Sequence, residues 1–245
     1  MADKNFIYGT RAVIEAVNSD KQIEKVMLVR SDENTLQKEL TILLKRHKIF
    51  FQFVPVQKLN RITRKNHQGV IAFISPVSFY DAEEIVMRIY EQGEIPFILA
   101  LDGVTDVRNF GAIVRTAECS GVHAVLIPEK GSASVNADAV KTSAGALHKV
   151  PVCKTRSLRE TFRKLKENGL QIISASEKAE KNYYQTNFTK PTLLVVGSEE
   201  KGISNAIISL SDEFVKIPLL GEIKSLNVSV AASILMYEKV RQTIN

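Results

Sequence analysis

Residues 217–237, IPLLGEIKSLNVSVAASILMY, restrict the possible folds more than any other stretch of the chain. The sequence predicts a strand over 213–217, a Pro/Gly loop, and then a long helix over 227–243. Ser225 and Asn227 stand where an N-cap belongs, since their short polar side chains can hold the free amides of the first turn. Val228, Val230, Ala231, Ala232, Ile234, Leu235 and Tyr237 cannot share one narrow stripe. Such a helix is expected to be buried on several sides or to pack against another chain. The loop before it spends 8 residues, 218–225, where a tight connection uses about 2–6. A long loop with its own polar groups, tethered to a buried helix, is an expected ligand site.

Upstream, the pattern from residue 82 alternates helix and strand. Expected helices cover 82–92, 109–120, 136–144, 157–168 and 204–210; expected strands cover 97–101, 123–127, 149–153, 170–175 and 192–197. Runs such as Phe97-Ile98-Leu99-Ala100-Leu101 are continuously apolar, as strands are when helices cover both faces of a parallel sheet. The fold class is therefore α/β, a parallel sheet covered by helices. Residues 1–80 read as a separate small α/β unit: helix 7–18, strand 23–29, helix 34–47, strand 50–54, helix 56–63 and strand 69–74. The expected division is a first domain over 1–76, a linker over 77–81, and a second domain over 82–245.

Charge separates the same two parts. Residues 1–80 hold 13 Lys/Arg against 7 Asp/Glu, a net +6, whereas 81–245 hold 20 of each. From 40 to 80 there are seven bases (Lys45, Arg46, Lys48, Lys58, Arg61, Arg64 and Lys65) and no carboxylate. Charge segregated in this way suits a polyanion, because each phosphate neutralised releases counterions; a solvated basic face is the plain alternative. No window approaches the roughly 18–20 apolar residues of a membrane span, and the first residues lack the apolar core of a signal peptide. Cys119 and Cys153 form no disulfide framework or metal pair. They are expected to be buried thiols in a reducing, cytoplasmic compartment. The four histidines are too scattered for metal ligation, so no metal is expected.

In an open parallel sheet, ligands bind beyond the carboxyl ends of the strands, which directs attention to three loops. After strand 97–101, Asn109 is a good N-cap candidate and Arg115 lies about two turns into the helix beside Ile113 and Val114, a position needing a partner or an anionic ligand. After strand 192–197 comes Gly197-Ser198-Glu199-Glu200-Lys201-Gly202. Its two glycines have phosphate-loop spacing, but Ile203 stands where such a loop needs Lys, and two glutamates would repel a triphosphate. The third loop is the opening stretch.

The three loops, in this order, resemble the three motifs of the SpoU-type RNA 2′-O-ribose methyltransferases of the SPOUT superfamily. Asn109 and Arg115 match the first motif, Gly-x-Glu-x-x-Gly at 197–202 the second, and Ser-Leu-Asn-Val-Ser-Val-Ala at 225–231 the third. Ser198 departs from the Asn or Ala usual there. Tyr8-Gly9-x2-Ala12-Val13-x-Glu15-Ala16 and His67-Gln68-Gly69-Val70 resemble the substrate-binding domain of the branch that methylates a guanosine of 23S rRNA.

This resemblance implies S-adenosyl-L-methionine as methyl donor, a ribose 2′-hydroxyl as acceptor, a C-terminal trefoil knot and a homodimer. It implies cofactor contacts at Gly197, Ile217 and Leu226, with Leu220 and Gly221 adjacent, and catalytic roles for Asn109, Arg115, Glu199, Ser225 and Asn227. A guanidinium keeps its proton, so Arg115 suits an electrostatic clamp better than a general base. The RNA would lie on the first domain at Lys45, Arg46, Arg61, Arg64 and Lys65. The alternatives are the same reaction on tRNA or another rRNA nucleotide, and a non-catalytic RNA-binding protein of ribosome assembly.

Overall fold

The computed structural model describes residues 6–19, 21–30 and 35–244. It divides into two compact units, Met1–Ser78 with Val135–Ala137, and Phe79–Ser134 with Asp138–Asn245.

In the first unit, β1 (Phe6–Tyr8), α1 (Thr10–Asn18), β2 (Ile23–Leu28), α2 (Thr35–Arg46), β3 (Phe51–Phe53), α3 (Val56–Ile62) and β4 (Val70–Ile74) follow one another. The sheet order is β1-β4-β2-β3. The helix expected from residue 7 starts at Thr10, because Gly9 turns the chain at φ 92° and frees residues 6–8 to pair with β4. Residue 34, the expected start of the next helix, lies outside the described residues. Alternation along the strands makes two cores. On one face Val13 and Val17 of α1 and Leu40 and Leu44 of α2 cover Val26, Leu28, Val70 and Ala72. On the other, Leu59 of the two-turn α3 meets Met27, Val54 and Ile71.

The second unit holds β5 (Phe79–Tyr80), α4 (Ala82–Glu91), β6 (Phe97–Asp102), α5 (Val107–Cys119), β7 (Ala124–Pro128), α6 (Ala137–Thr142) and β8 (Val152–Thr155). There follow α7 (Leu158–Glu167), β9 (Gln171–Ala175), β10 (Thr192–Gly197), α8 (Asn205–Ile208), β11 (Glu213–Val215) and α9 (Val228–Thr243). All pairings in its seven-stranded sheet are parallel, in the order β11-β9-β10-β6-β7-β8-β5. Residues 79–80 of the expected linker are thus an edge strand, and Asp81 caps α4 by accepting from the amides of Glu83 and Glu84 at 2.8 and 3.2 Å. Helices α4, α7 and α8 bury Val86, Phe162 and Ile207 against Ile98, Leu126, Leu193 and Val195. On α5, Phe110, Ile113, Val114 and Ala117 are buried at helical spacing. Helix α9 packs on α5, where the Ser233 hydroxyl bonds to that of Thr116 at 3.1 Å.

Helix α9, expected to be buried on several sides or to pack against another chain, is buried along part of its surface and leaves other apolar residues exposed. Val230 and Tyr237 are 47% and 48% exposed, whereas Glu238 and Lys239 are buried. The hydrogen bonds from Arg241 and Gln242, opposed by desolvation, hold the Glu238 carboxyl below its usual range. Lys239 is shifted down by burial, its ammonium 5.8 Å from the centre of the Phe97 ring.

Of the two cysteines expected to be buried, one departs from that expectation. Cys153 is buried, and desolvation, with Asp81 adding to it, pushes its thiol up to about 12; Cys119 is exposed near the end of α5. A thiol reacts as its thiolate. Alkylation of the native protein at pH 8, read by peptide mass spectrometry, is therefore expected to label Cys119 and to reach Cys153 only after denaturation.

Gly111 sets how closely α5 approaches α6. A Cβ there would lie 2.6 Å from Thr142 Cβ and 3.1 Å from the carbonyl oxygen of Ala139. Gly111→Ala is expected to cost about 1–3 kcal/mol through overpacking, lowering the melting temperature by several degrees in a calorimetric scan.

Candidate functional site

Every strand of the second unit is parallel, so the carboxyl ends of β6, β9, β10 and β11 share one edge of the sheet. After β6 the chain turns at Gly103 and enters α5. The N-cap of α5 is Asp106, whose carboxylate accepts from the amides of Arg108 and Asn109 at 2.9 and 2.8 Å. The expected cap, Asn109, is instead inside the first turn, and its side-chain amide is released for other work. It donates to Glu199 Oε1 at 3.2 Å.

Glu199 lies in the loop after β10. That loop is closed by reciprocal backbone bonds between Ser198 and Gly202, and a Cβ on Gly197 would sit 2.1 Å from the carbonyl carbon of Gly202. Only glycine permits so tight a return. The loop is also tied to β6, since the Ser204 amide donates to Asp102 Oδ2 at 2.7 Å.

Asn227 is the N-cap of α9, its Oδ1 accepting from the Ser229 amide at 2.9 Å. Its Nδ2 donates to Glu199 Oε1 at 2.8 Å and to Asn109 Oδ1 at 3.0 Å. The Val228 amide gives Glu199 Oε1 a third donor at 3.2 Å. One carboxylate oxygen thus gathers N–H groups from α5, from the third loop and from the start of α9. A carboxylate there also suits the positive end of the α9 dipole.

Beside this cluster opens a cavity of about 370 Å³, lined by the ends of β9, β10 and β11 and by the third loop. Of the candidate site residues, Gly197, Glu199, Ser225, Ile217 and Leu226 line it. Leu220 and Gly221 do not line it; Leu220 is fully exposed, and Leu219 takes the lining position. The sequence reading omits the far wall, Ser176, Glu177 and Lys178 after β9 and Phe214 on β11. The strand-end rule points to the first three only once β9 is known to lie between β10 and β11.

Arg115 does not join the cluster. Six residues beyond Asn109 it is about 9 Å further along α5 and rotated by about 240°, and its side chain is exposed. The buried stripe runs through Ile113 and Val114, which are neighbours of Arg115 in sequence but not on its face. The basic candidates of the first unit are all exposed but divided. Lys45 and Arg46 end α2 on one face of the sheet, while Arg61, Arg64 and Lys65 lie on or after α3, the helix of the other face.

Loop 64–69 is held by its own side chains. His67 Nδ1 accepts from the Gly69 amide at 3.0 Å, so Nε2 carries the proton that bonds to Asn60 at 2.8 Å. Gln68 Oε1 accepts from the Thr10 amide at 3.2 Å, bringing the two halves of the N-terminal motif together at the start of α1.

The Glu199 cluster is expected to matter for stability as well as chemistry. Glu199→Ala leaves the Asn109 and Asn227 side-chain amides without their shared acceptor and should cost about 1 kcal/mol in urea unfolding. The loss should be much smaller in an Asn227→Ala background, because the two residues share one network.

Comparison with known proteins agrees with this layout. The SpoU rRNA Methylase family model matches residues 96–237, and the RNA 2′-O ribose methyltransferase substrate-binding model matches residues 6–80. A Bacillus subtilis protein named as a TrmH family tRNA/rRNA methyltransferase, YacO, is 32% identical over 97% of this chain and 96% of its own length. Among solved structures, the SpoU methyltransferase AviRb of Streptomyces viridochromogenes in complex with AdoMet is 25% identical. It covers 97% of this chain and 89% of its own at a TM-score of 0.62. A tRNA modifying enzyme of A. aeolicus, TrmH/SpoU, is 33% identical but covers 65% of this chain and 83% of its own, with a TM-score of 0.55.

Proposed function

The chain belongs to the SpoU rRNA methylase family, and from that premise we propose that it transfers a methyl group from S-adenosyl-L-methionine to the ribose 2′-hydroxyl of a guanosine in 23S ribosomal RNA. The observation that carries the reading is the convergence of Asn109, Asn227 and the Val228 amide on Glu199 at the mouth of the cavity.

The residues present fit the cofactor. The cavity is within the range of small-molecule sites, and its wall combines apolar side chains of Val196, Ile208 and Phe214 with the loop backbone at Gly197, Ile217 and Leu226. Apolar walls would suit the adenine, and backbone groups of the loops would supply hydrogen bonds to its edge. The lining holds three carboxylates, Glu177, Glu199 and Glu200, beside three ammonium groups, Lys178, Lys201 and Lys216, a balanced set that suits a ligand carrying both a cationic sulfonium and an amino-acid end. The bound cofactor supplies an activated methyl group that needs no metal. Asn109 and Asn227, fixed by Glu199, and the exposed Ser225 orient the acceptor ribose.

Arg115 is assigned to the acceptor side. Its charge is suited to clamp a phosphate of the RNA and to stabilise the negative charge that develops on the sugar oxygen as its proton leaves. The stripe of exposed Val230, half-buried Ile234 and exposed Tyr237 on α9, spaced i, i+4 and i+7, supports a homodimer built on this helix. The trefoil knot belongs to the same reading. β11 lies at the sheet edge beyond β9, yet α9 returns to pack on α5 and β10, so the long third loop must carry the chain back across the strand ends.

Ribosomal rather than transfer RNA is favoured by the first unit. The A. aeolicus tRNA enzyme matches only 65% of this chain, so a substantial part here has no counterpart in it. The substrate-binding match over 6–80 and the net +6 of residues 1–80 support an RNA role for the first unit. No described helix is long and apolar enough to cross a membrane, and the proposed substrate places the enzyme in the cytoplasm.

Mapping 2′-O-methyl positions in 23S rRNA from cells with and without this gene product is expected to show one guanosine losing its methyl group. Loss at a tRNA position alone would transfer the assignment to tRNA; no loss anywhere would favour the assembly factor. Arg115→Ala is expected to abolish transfer while leaving S-adenosylmethionine affinity by calorimetry within a few fold. Lost cofactor binding with normal turnover at saturation would place Arg115 on the donor side.

A further inference from the structure

Among the described residues, one face of the first unit's sheet is covered by a single two-turn helix, and the residues it leaves uncovered are aromatic and basic. Phe6 on β1 and Lys25 on β2 both stand opposite Phe73 on β4, making a row Phe6–Phe73–Lys25 across three strands. The next row on that face is Tyr8–Ile71–Met27, whose latter two residues lie under α3 with Leu59. Phe6, Tyr8 and Phe73 lie at the margin of that small core and are half-buried.

The three rings form a connected surface. Phe6 sits 6.3 Å from both Tyr8 and Phe73, with planes inclined at 51° and 53°, so each presents its own face. Two of the faces carry an ammonium: Lys25 lies 5.0 Å from the Phe73 ring centre and Lys65 5.9 Å from that of Tyr8. Lys65 comes from the segment 40–80 that has no carboxylate.

We infer that this face binds single-stranded RNA by stacking unpaired bases on Tyr8 and Phe73, while Lys25 and Lys65 engage the adjoining phosphates. Aromatic side chains beside mobile cations are the general means of holding splayed bases, since every base has a π face and every nucleotide a phosphate. Each ammonium now occupies the position over a ring that a base would take. A lysine stem is long enough to leave the ring and follow a phosphate while the base enters, and a cation over an exposed ring is held more weakly than a stacked base. Helix α2, with Lys45 and Arg46 at its end, packs on the opposite face and takes no part. The inference rests on the proposed RNA substrate and names the surface that receives it.

The test uses the full chain and a single-stranded oligoribonucleotide carrying 2-aminopurine, whose fluorescence falls on stacking. Tyr8→Leu and Phe73→Leu keep an apolar side chain but remove the π face. Each is expected to weaken binding roughly tenfold and to relieve the quenching. Tyr8→Phe should behave as the parent, which separates loss of the ring from damage to the fold. Lys25→Gln and Lys65→Gln should each flatten the salt dependence of binding by about one phosphate contact. Parental affinity and quenching in both leucine variants would overturn the inference, as would equal affinity for a duplex of the same sequence. The melting-point rise with S-adenosylmethionine, measured on the same samples, distinguishes the outcomes: its persistence would leave the methyltransferase reading standing if the platform failed.

Discussion

One carboxylate oxygen holds the site together. Glu199 Oε1 receives N–H groups from Asn109, Asn227 and Val228, which belong to segments separated by 90, 28 and 29 residues. No local structure could hold these groups together. What does is the parallel sheet, which sends the carboxyl ends of β6 and β10 to the same edge, in register from Phe97 opposite Thr192 to Asp102 opposite Gly197. The Asp102 bond to the Ser204 amide fastens the two loops a second time, just beyond that register. A neutral acceptor in place of Glu199 would lose charge assistance in three bonds at once, and charge-assisted hydrogen bonds are roughly twice as strong as neutral ones.

The sequence shows which segments are strands and helices because burial on both faces leaves continuous apolar runs such as Leu193-Leu194-Val195-Val196. It does not show their order. β9 lies between β10 and β11, so the end of β9 forms the far wall of the cavity, although nothing in residues 171–178 marks them as part of a site. The three motif loops were legible through their polar residues at strand ends; the fourth was not, because its role depends on a neighbour relation that only the folded sheet creates.

Two errors at α5 share a cause. Asn109 is as good a cap residue as Asp106, but Asp106 comes first and its carboxylate satisfies the amides of both Arg108 and Asn109. With the cap three residues earlier, at Asp106, the Asn109 side chain is free for Glu199. Arg115 was judged buried from its sequence neighbours. Helical contact runs at i+3 and i+4, and the stripe Phe110, Ile113, Val114, Ala117 excludes it. Its exposure turns the arginine from a buried charge requiring a partner into one free to meet an anion arriving from outside.

The third loop shows what such an arrangement leaves unfinished. Leu220 and Ile223 are 101% and 80% exposed, and Leu219 and Leu226 are at 38% and 36% while also facing the cavity. Burying one such side chain is worth about 1.5–3 kcal/mol, so this loop retains a sizeable incentive to be covered. A ligand in the cavity reaches Leu219 and Leu226; Leu220 and Ile223 point to a second covering surface, which the proposed homodimer would supply. The loop is long because it spans the strand ends, and it is apolar because, in the proposed reading, both of its sides are eventually covered.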